Sequence, residues 1–203
     1  MGIDIHALQL LQYNKQKSTN LGKTLTLGRQ AVLVGPKLAK RWVGTDQGAW
    51  CEELLEHHFN AKHVDSIDNS DYEDANIIYD YNNPIPDALK DQYDTVLDFG
   101  CSEHIFNVAQ AFKNTIDVCK LGGTILHILP ANGFCGHGFY QYSAEFFFSL
   151  YSQENGFEET EVFISDLYEP RKWYAVKKPS NGQRINIRTK NETYIIVRTR
   201  KVS

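Results

Sequence analysis

The sequence predicts an α/β fold of three layers: helices cover both faces of a mostly parallel seven-stranded sheet that carries an antiparallel strand at one edge. Two observations predict it. Strand-like segments alternate with segments of helical periodicity, and the inner strands (LTL, TVLDF, TILHIL) read as continuous apolar runs, as strands buried on both faces do. The last two strands follow each other without a clear helix between them, which calls for an antiparallel edge. At 203 residues the chain is read as a single domain, 1–203, with a basic β-appendage at about 170–190.

The elements follow in order. Residues 4–16 make an amphipathic helix, with Asp4 as its cap and Ala7, Leu8 and Leu11 on one face. Lys23–Gly28 is the first strand, stopped by its glycine. Pro36 opens a short helix through Val43. A third helix runs from about Asp46 to Asn60, where Trp50, Leu54, Leu55 and Phe59 recur at helical spacing. His63–Asp68 and Ala75–Tyr79 are the next strands, separated by the acidic turn 69–74 and closed by the NNPIP turn. Tyr93–Gly100 is the fourth strand. The segment Glu103–Cys119 is helical, with Ile105, Val108, Phe112 and Ile116 turned inward, and Gly122–Pro130 is the fifth strand. A loop rich in glycine and aromatics, 132–142, leads to a helix over about Ser143–Asn155. Val162–Ser165 and Tyr194–Thr199 complete the seven, and the stretch between them, with Pro170, Pro179 and Asn181–Gly182, reads as a hairpin-like excursion.

Composition removes several classes of function. A 42% hydrophobic content supports a core, and 23% charged residues with six prolines exclude a disordered or fibrous chain. No apolar run approaches the roughly 20 residues of a membrane span. The start MGIDIHALQLLQ has neither a basic region nor a cleavage site, and His6 stands where a myristoylation motif has Ser or Thr. Four cysteines without a CxxC pair point to reduced thiols in a cytoplasmic protein. The net charge of −4 is unevenly spread: residues 170–203 hold ten of the 21 Lys and Arg with one acid, Glu192. That basic segment either docks on the acidic body or holds an anionic ligand, whereas a nucleic-acid partner is disfavoured by the acidic remainder. No metal site is expected: His57, His58 and His63 crowd one helix end, and the acidic turn 68–74 has Glu73 where a calcium loop needs glycine.

In parallel sheets, ligands sit beyond the carboxyl ends of the strands. Those ends carry Gly28–Arg29–Gln30, Asp68, Asp80–Asn82, Asp98–Gly100 and Pro130–Asn132. A carboxylate after the second strand accepts both hydroxyl hydrogens of a ribose, and Asp68 or Asp65 is placed to do so. Arg29 either pairs with a ligand carboxylate or bridges to a nearby acid. The first turn lacks the GxGxxG pattern, so a dinucleotide such as NAD or FAD is disfavoured.

YDTVLDFGCSEHIFN (93–107) followed by VCKLGGTILHILP (118–130) resembles the second half of a class I S-adenosylmethionine (SAM) methyltransferase. In that family a Glu–His pair follows the fourth strand and a Gly–Gly turn precedes the fifth. LTLGRQ, SEHIFN and PANGFCGHGFYQYSAEFFF are similar, more narrowly, to a group of bacterial methyltransferase-like proteins, over about Lys23 to Ile164. The resemblance implies a Rossmann-like methyltransferase fold with SAM as cofactor. Gly28 then lies near its amino-acid part, Asp68 on the ribose, Asp80 by the adenine and Asp98 near the methionine portion. The family's acid-x-Gly-x-Gly pattern is altered, with Thr26 for the acid and Gln30 for the second glycine. If the acceptor is a small-molecule or carbohydrate-like hydroxyl, a base near its oxygen helps; His137 and His104 follow strands and suit that role. Tyr140, Tyr142 and Asn132 are candidate substrate contacts. The alternative is a non-catalytic methyltransferase-like protein that binds a nucleoside or a protein partner. A homo-oligomer is compatible with either.

Overall fold

Side-chain caps and glycine stops set the element boundaries in the computed structural model, which describes residues 2–17, 19–44, 49–180 and 183–203. After a two-residue strand β1 (Gly2–Ile3), Asp4 accepts a hydrogen bond from the Ala7 amide at 2.9 Å and starts α1 (Ile5–Gln16). β2 (Gly22–Leu27) stops at Gly28, whose φ of 69° suits a residue without a Cβ. β3 (Ala31–Val32) pairs with β1 in parallel. α2 (Pro36–Val43) has proline in its first turn and left-handed Gly44 at its end. The helix predicted from Asp46 is observed as α3 (Cys51–Phe59), closed by left-handed Asn60; residues 45–48 lie outside the described residues.

β4 (Ala61–Asp68), β5 (Ile77–Ile78) and β6 (Tyr93–Phe99) follow. The helix predicted from Glu103 is corrected. Ser102–His104 forms a separate 3-10 turn, and α4 (Val108–Val118) begins only where the Asn107 side chain accepts from the Gln110 amide. β7 (Cys119–Asn132) is longer than expected, α5 (Ala144–Leu150) is capped by Ser143, and β8 (Phe157–Asp166), β9 (Trp173–Val176) and β10 (Thr193–Lys201) end the chain. From Lys177 to Glu192 the described residues form no helix or strand, and the expected Asn181–Gly182 turn lies outside them.

Among the described residues the main sheet has eight strands in the order β5-β4-β2-β6-β7-β10-β8-β9. This corrects the seven-stranded expectation. β5, β4, β2, β6 and β7 are parallel, but β10 enters between β7 and β8, antiparallel to both. The antiparallel strand therefore lies inside the sheet as well as at its edge. The physical reason is burial: Ile195, Ile196 and Val197 are all fully buried, and such a run needs a strand on each side. The edge on this side falls to β9, which pairs antiparallel with β8, carries exposed Tyr174, and lies in the stretch that the sequence reads as a hairpin-like excursion.

The core forms on both faces of this sheet. Leu8, Leu11, Leu54, Leu55 and Phe59 of α1 and α3 pack on one, and Phe112, Phe147 and Phe148 of α4 and α5 on the other. No helix among the described residues is long and apolar enough to cross a membrane. The chain runs outward from β2 through β4 to β5, then returns to the opposite side through β6 and β7, so strand order reverses between β2 and β6. That is where a parallel sheet opens a crevice.

Candidate functional site

Two cavities flank this reversal. The first, about 160 Å³, lies over the ends of β2, β4 and β5; Leu27, Ile67 and Ile105 give it apolar walls, and Asp68, Asp80 and His104 give it a polar rim. The second, about 210 Å³, lies over β6 and β7 and is lined by Phe99, Gly100, Glu103, His104, Ile128 and His137. His104 borders both. A third cleft of about 520 Å³ runs from Asn132 and Tyr142 to Arg188 and Thr189.

The predicted residues are thus brought together in part. Asp68 lines the first cavity, its Oδ1 accepting from the Ser70 amide at 3.3 Å. Asp65 does not line it: that carboxylate accepts from the Tyr93 hydroxyl, Asn76 and His63 deeper in β4. Asp80 is locally bound by the Asn82 amide and by the Asn82 and Asn83 side chains, hydrogen bonds that hold its carboxyl below the usual range. Arg29 is engaged elsewhere. It meets Glu52 at 2.9 Å, donates to the Glu73 and Asp74 carbonyls, and stacks on the Trp50 ring. Gln30 is fully buried and donates to the Leu27 carbonyl at 2.8 Å. Neither bulky side chain of the first turn lines the first cavity among the described residues, so the altered glycine motif leaves that space open.

Asp98, expected beside a methionine portion, is instead fully buried. It accepts from the Cys101 and Ser102 amides and the Ser102 hydroxyl, and meets His127 Nδ1 at 2.9 Å, while His127 Nε2 faces the Tyr151 hydroxyl at 2.7 Å. This network pins the turn after β6 and ties β7 to the chain beyond α5. Tyr140 donates to the Phe106 carbonyl at 2.6 Å, and Tyr142 is buried against Phe112 and Phe147; Asn132 donates to Thr189. Asn132 and Tyr142 line the third cleft, whose lining includes neither His104 nor His137.

Sequence reasoning missed the weight of Glu103. It is 1% exposed, its Oε1 lies 3.4 Å from His137 Nε2 and 3.9 Å from His104 Nε2, and its Oε2 has no hydrogen-bond partner among the described residues. Burial, with the nearby negative charge of Asp98, pushes its carboxyl up to about 8. Burial and the neighbouring His137 lower the His104 imidazole. The two rings meet edge to face with centroids 4.7 Å apart. The acid stood in plain view beside His104 in SEHIFN, but it was read only as the first residue of the helix predicted over Glu103–Cys119.

No protein-family model matches the chain, and no curated protein sequence does either. Solved structures do match. A SAM-dependent methyltransferase of Archaeoglobus fulgidus superposes with a TM-score of 0.54 at 13% identity, covering 96% of this chain and 94% of that one. The N-methyltransferase NodS of Bradyrhizobium japonicum gives 0.52 at 15% identity, covering 98% and 94%. The 1,6-didemethyltoxoflavin-N1-methyltransferase of Burkholderia thailandensis, solved with bound 1,6-didemethyltoxoflavin and S-adenosylhomocysteine, gives 0.50 at 11% identity, covering 98% and 79%. The likeness is one of fold: this chain has the Rossmann-like architecture of class I SAM-dependent methyltransferases.

Proposed function

We propose that the chain is a SAM-dependent methyltransferase acting on the hydroxyl of a small, anionic or sugar-like acceptor. The observation that carries the reading is His104 at the border of two cavities, one edged by carboxylates at the strand ends and one holding the imidazole pair. The first suits a nucleoside: apolar walls for a base, and the Asp68 carboxylate for ribose hydroxyls. Asp80 and the backbone at Gly28 complete the cofactor side. When bound there, SAM supplies an electrophilic methyl group on a sulfonium sulfur, the carbon–sulfur electron pair leaving with S-adenosylhomocysteine.

The chain's own residues do the rest. They orient the acceptor oxygen, which is the larger part of such catalysis, and an imidazole of His137 or His104 takes its proton. Asn132, Tyr142 and Arg188 along the third cleft give a polar, cationic wall for the remainder of the acceptor. We read the chain as one domain with the basic segment 170–190 on this acceptor side, and its LGRQ and GHGFYQ segments as marks of a bacterial methyltransferase-like group.

Calorimetric titration with SAM and with S-adenosylhomocysteine tests the reading. Micromolar binding is expected for the natural chain. Asp68→Ala should weaken it roughly tenfold or more, since a hydrogen bond to a charged group contributes about 1.5–3 kcal/mol. Unaltered binding in that variant would remove Asp68 from the pocket. No heat at high ligand concentration would favour the non-catalytic alternative.

A further inference from the structure

We infer that Glu103, His104 and His137 form a binding site for a divalent transition-metal ion of the zinc type. Read along the chain these residues have no metal-ligand spacing; the fold makes one by bringing the loop after β7 onto the turn after β6. One ligand atom from each lies within 4.8 Å of the others. Two imidazole nitrogens and one carboxylate oxygen are the donors that suit zinc and its first-row neighbours rather than calcium or magnesium.

The distances are close to those of a loaded site. Ligand atoms about 2.0–2.2 Å from a tetrahedral zinc lie about 3.3 Å from one another. Glu103 Oε1 and His137 Nε2 are already 3.4 Å apart, and Glu103 Oε1 and His104 Nε2 are 3.9 Å apart. Both imidazoles are about half exposed, free to close the remainder by side-chain rotation, whereas the carboxylate is held inside. Its Oε2 is buried without a partner among the described residues, an arrangement that a protein sustains at a cost unless a proton or a cation answers it.

The approach is built into the backbone. The Phe139 amide donates to the Glu103 carbonyl at 2.7 Å, and Gly138, at φ 70°, passes so close that a Cβ there would sit 2.8 Å from Glu103 Cγ. His137 is thereby fixed beside the acid. Three protein ligands in an open cavity leave a coordination position for water or a substrate oxygen, the pattern of a catalytic rather than a structural ion. In the methyl-transfer reading, on which this last use rests, the ion would hold the acceptor hydroxyl and lower its pKa, its proton passing to solvent; the imidazoles are then ligands instead of bases.

The test is calorimetry with zinc ion alone on chelator-stripped, full-length protein, with cobalt substitution read by absorption. One zinc per chain is expected. Glu103→Gln and His137→Ala should each weaken binding roughly 100-fold, since loss of an outer-shell partner alone costs about 10–100-fold. His57→Ala, on the exposed side of α3, and Cys135→Ser, an exposed thiol, should leave it unchanged. Thermal melts of each variant separate ligand loss from unfolding, and the isosteric Glu103→Gln keeps the test open if His137→Ala does not fold. Absence of zinc binding in the natural chain, equal binding in Glu103→Gln, or loss in Cys135→Ser would overturn the assignment. Asp68→Ala should bind zinc normally. Failure of SAM to bind would therefore sink the transferase reading while leaving the metal site standing, and the reverse holds equally.

Discussion

Asp65 shows how a single carboxylate in the parallel half of the sheet depends on its neighbours. Burial opposes its charge, but the hydrogen bonds from Tyr93 and Asn76 and the nearby His63 outweigh it, so the carboxyl is held below its ordinary value of 3.8. A depressed carboxyl contributes stability above its unfolded pKa and loses it as pH falls through the folded value. Tyr93→Phe removes one of those bonds, at 3.0 Å, from a buried pair. Urea unfolding at pH 7 should show a loss of about 1.5–3 kcal/mol, and the gap between variant and natural chain should narrow as pH falls below about 4. A gap constant with pH would mean that the phenol acts through packing alone. At this scale the sequence was only partly legible. Asp68 and Asp80 could be found because they end strands, and the histidines because they follow them. Which of Asp65 and Asp68 faces the crevice, and whether Asp98 faces it at all, depends on partners such as Tyr93 and His127 that stand about 30 residues away in the chain.

Between elements, the decisive piece is the short turn Ser102–His104, because it carries two of the three clustered side chains and receives the loop that brings the third. Helical periodicity ran through it: Ile105, Val108, Phe112 and Ile116 make an unbroken apolar series. Asn107 interrupts the series by capping α4 later, where its side chain meets the Gln110 amide, a choice visible only once Asn82 has also engaged Asn107 at 2.8 Å. The loop 132–142 was legible as a permissive, glycine-rich segment, but not its landing point. Gly138 tests that landing. Gly138→Ala introduces a Cβ at positive φ and against the Glu103 side chain and carbonyl, which should cost about 1–3 kcal/mol in chemical denaturation and push His137 away from Glu103. Gly136→Ala, two residues earlier, meets nothing within 4 Å, and should change stability by about 0.5 kcal/mol or less. Equal costs at the two positions would show that the close approach of loop and turn does not hold in solution.

Across the whole molecule, the charge asymmetry read in the sequence resolves into two parts. Some of the C-terminal cations dock on the body: Arg198 is buried against Glu159 and Asn14, and Lys201 meets Asp91 at 3.0 Å. Others, Lys177, Arg184 and Lys190 among them, line an open cleft of about 810 Å³ beside β9. The parallel half of the sheet was legible because its strands are apolar throughout; the place of β10 was not, since local pattern says that a strand is buried without saying between which neighbours. The cofactor reading is also a property of the whole fold, because a ligand that binds only the native chain stabilises all of it. At a hundredfold excess over its dissociation constant, S-adenosylhomocysteine should add about 2.7 kcal/mol. For a chain of this length each kcal/mol moves Tm by about 2–4 °C, so the melt should rise by roughly 5–11 °C. At the same ligand concentration, an Asp68→Ala variant binding tenfold more weakly retains about half of that gain. NAD at that concentration should leave Tm where it was, because the first turn keeps Arg29 and Gln30 where a pyrophosphate site needs bare backbone. A rise with NAD and none with S-adenosylhomocysteine would assign the crevice at the strand ends to a dinucleotide and take the methyl donor away from it.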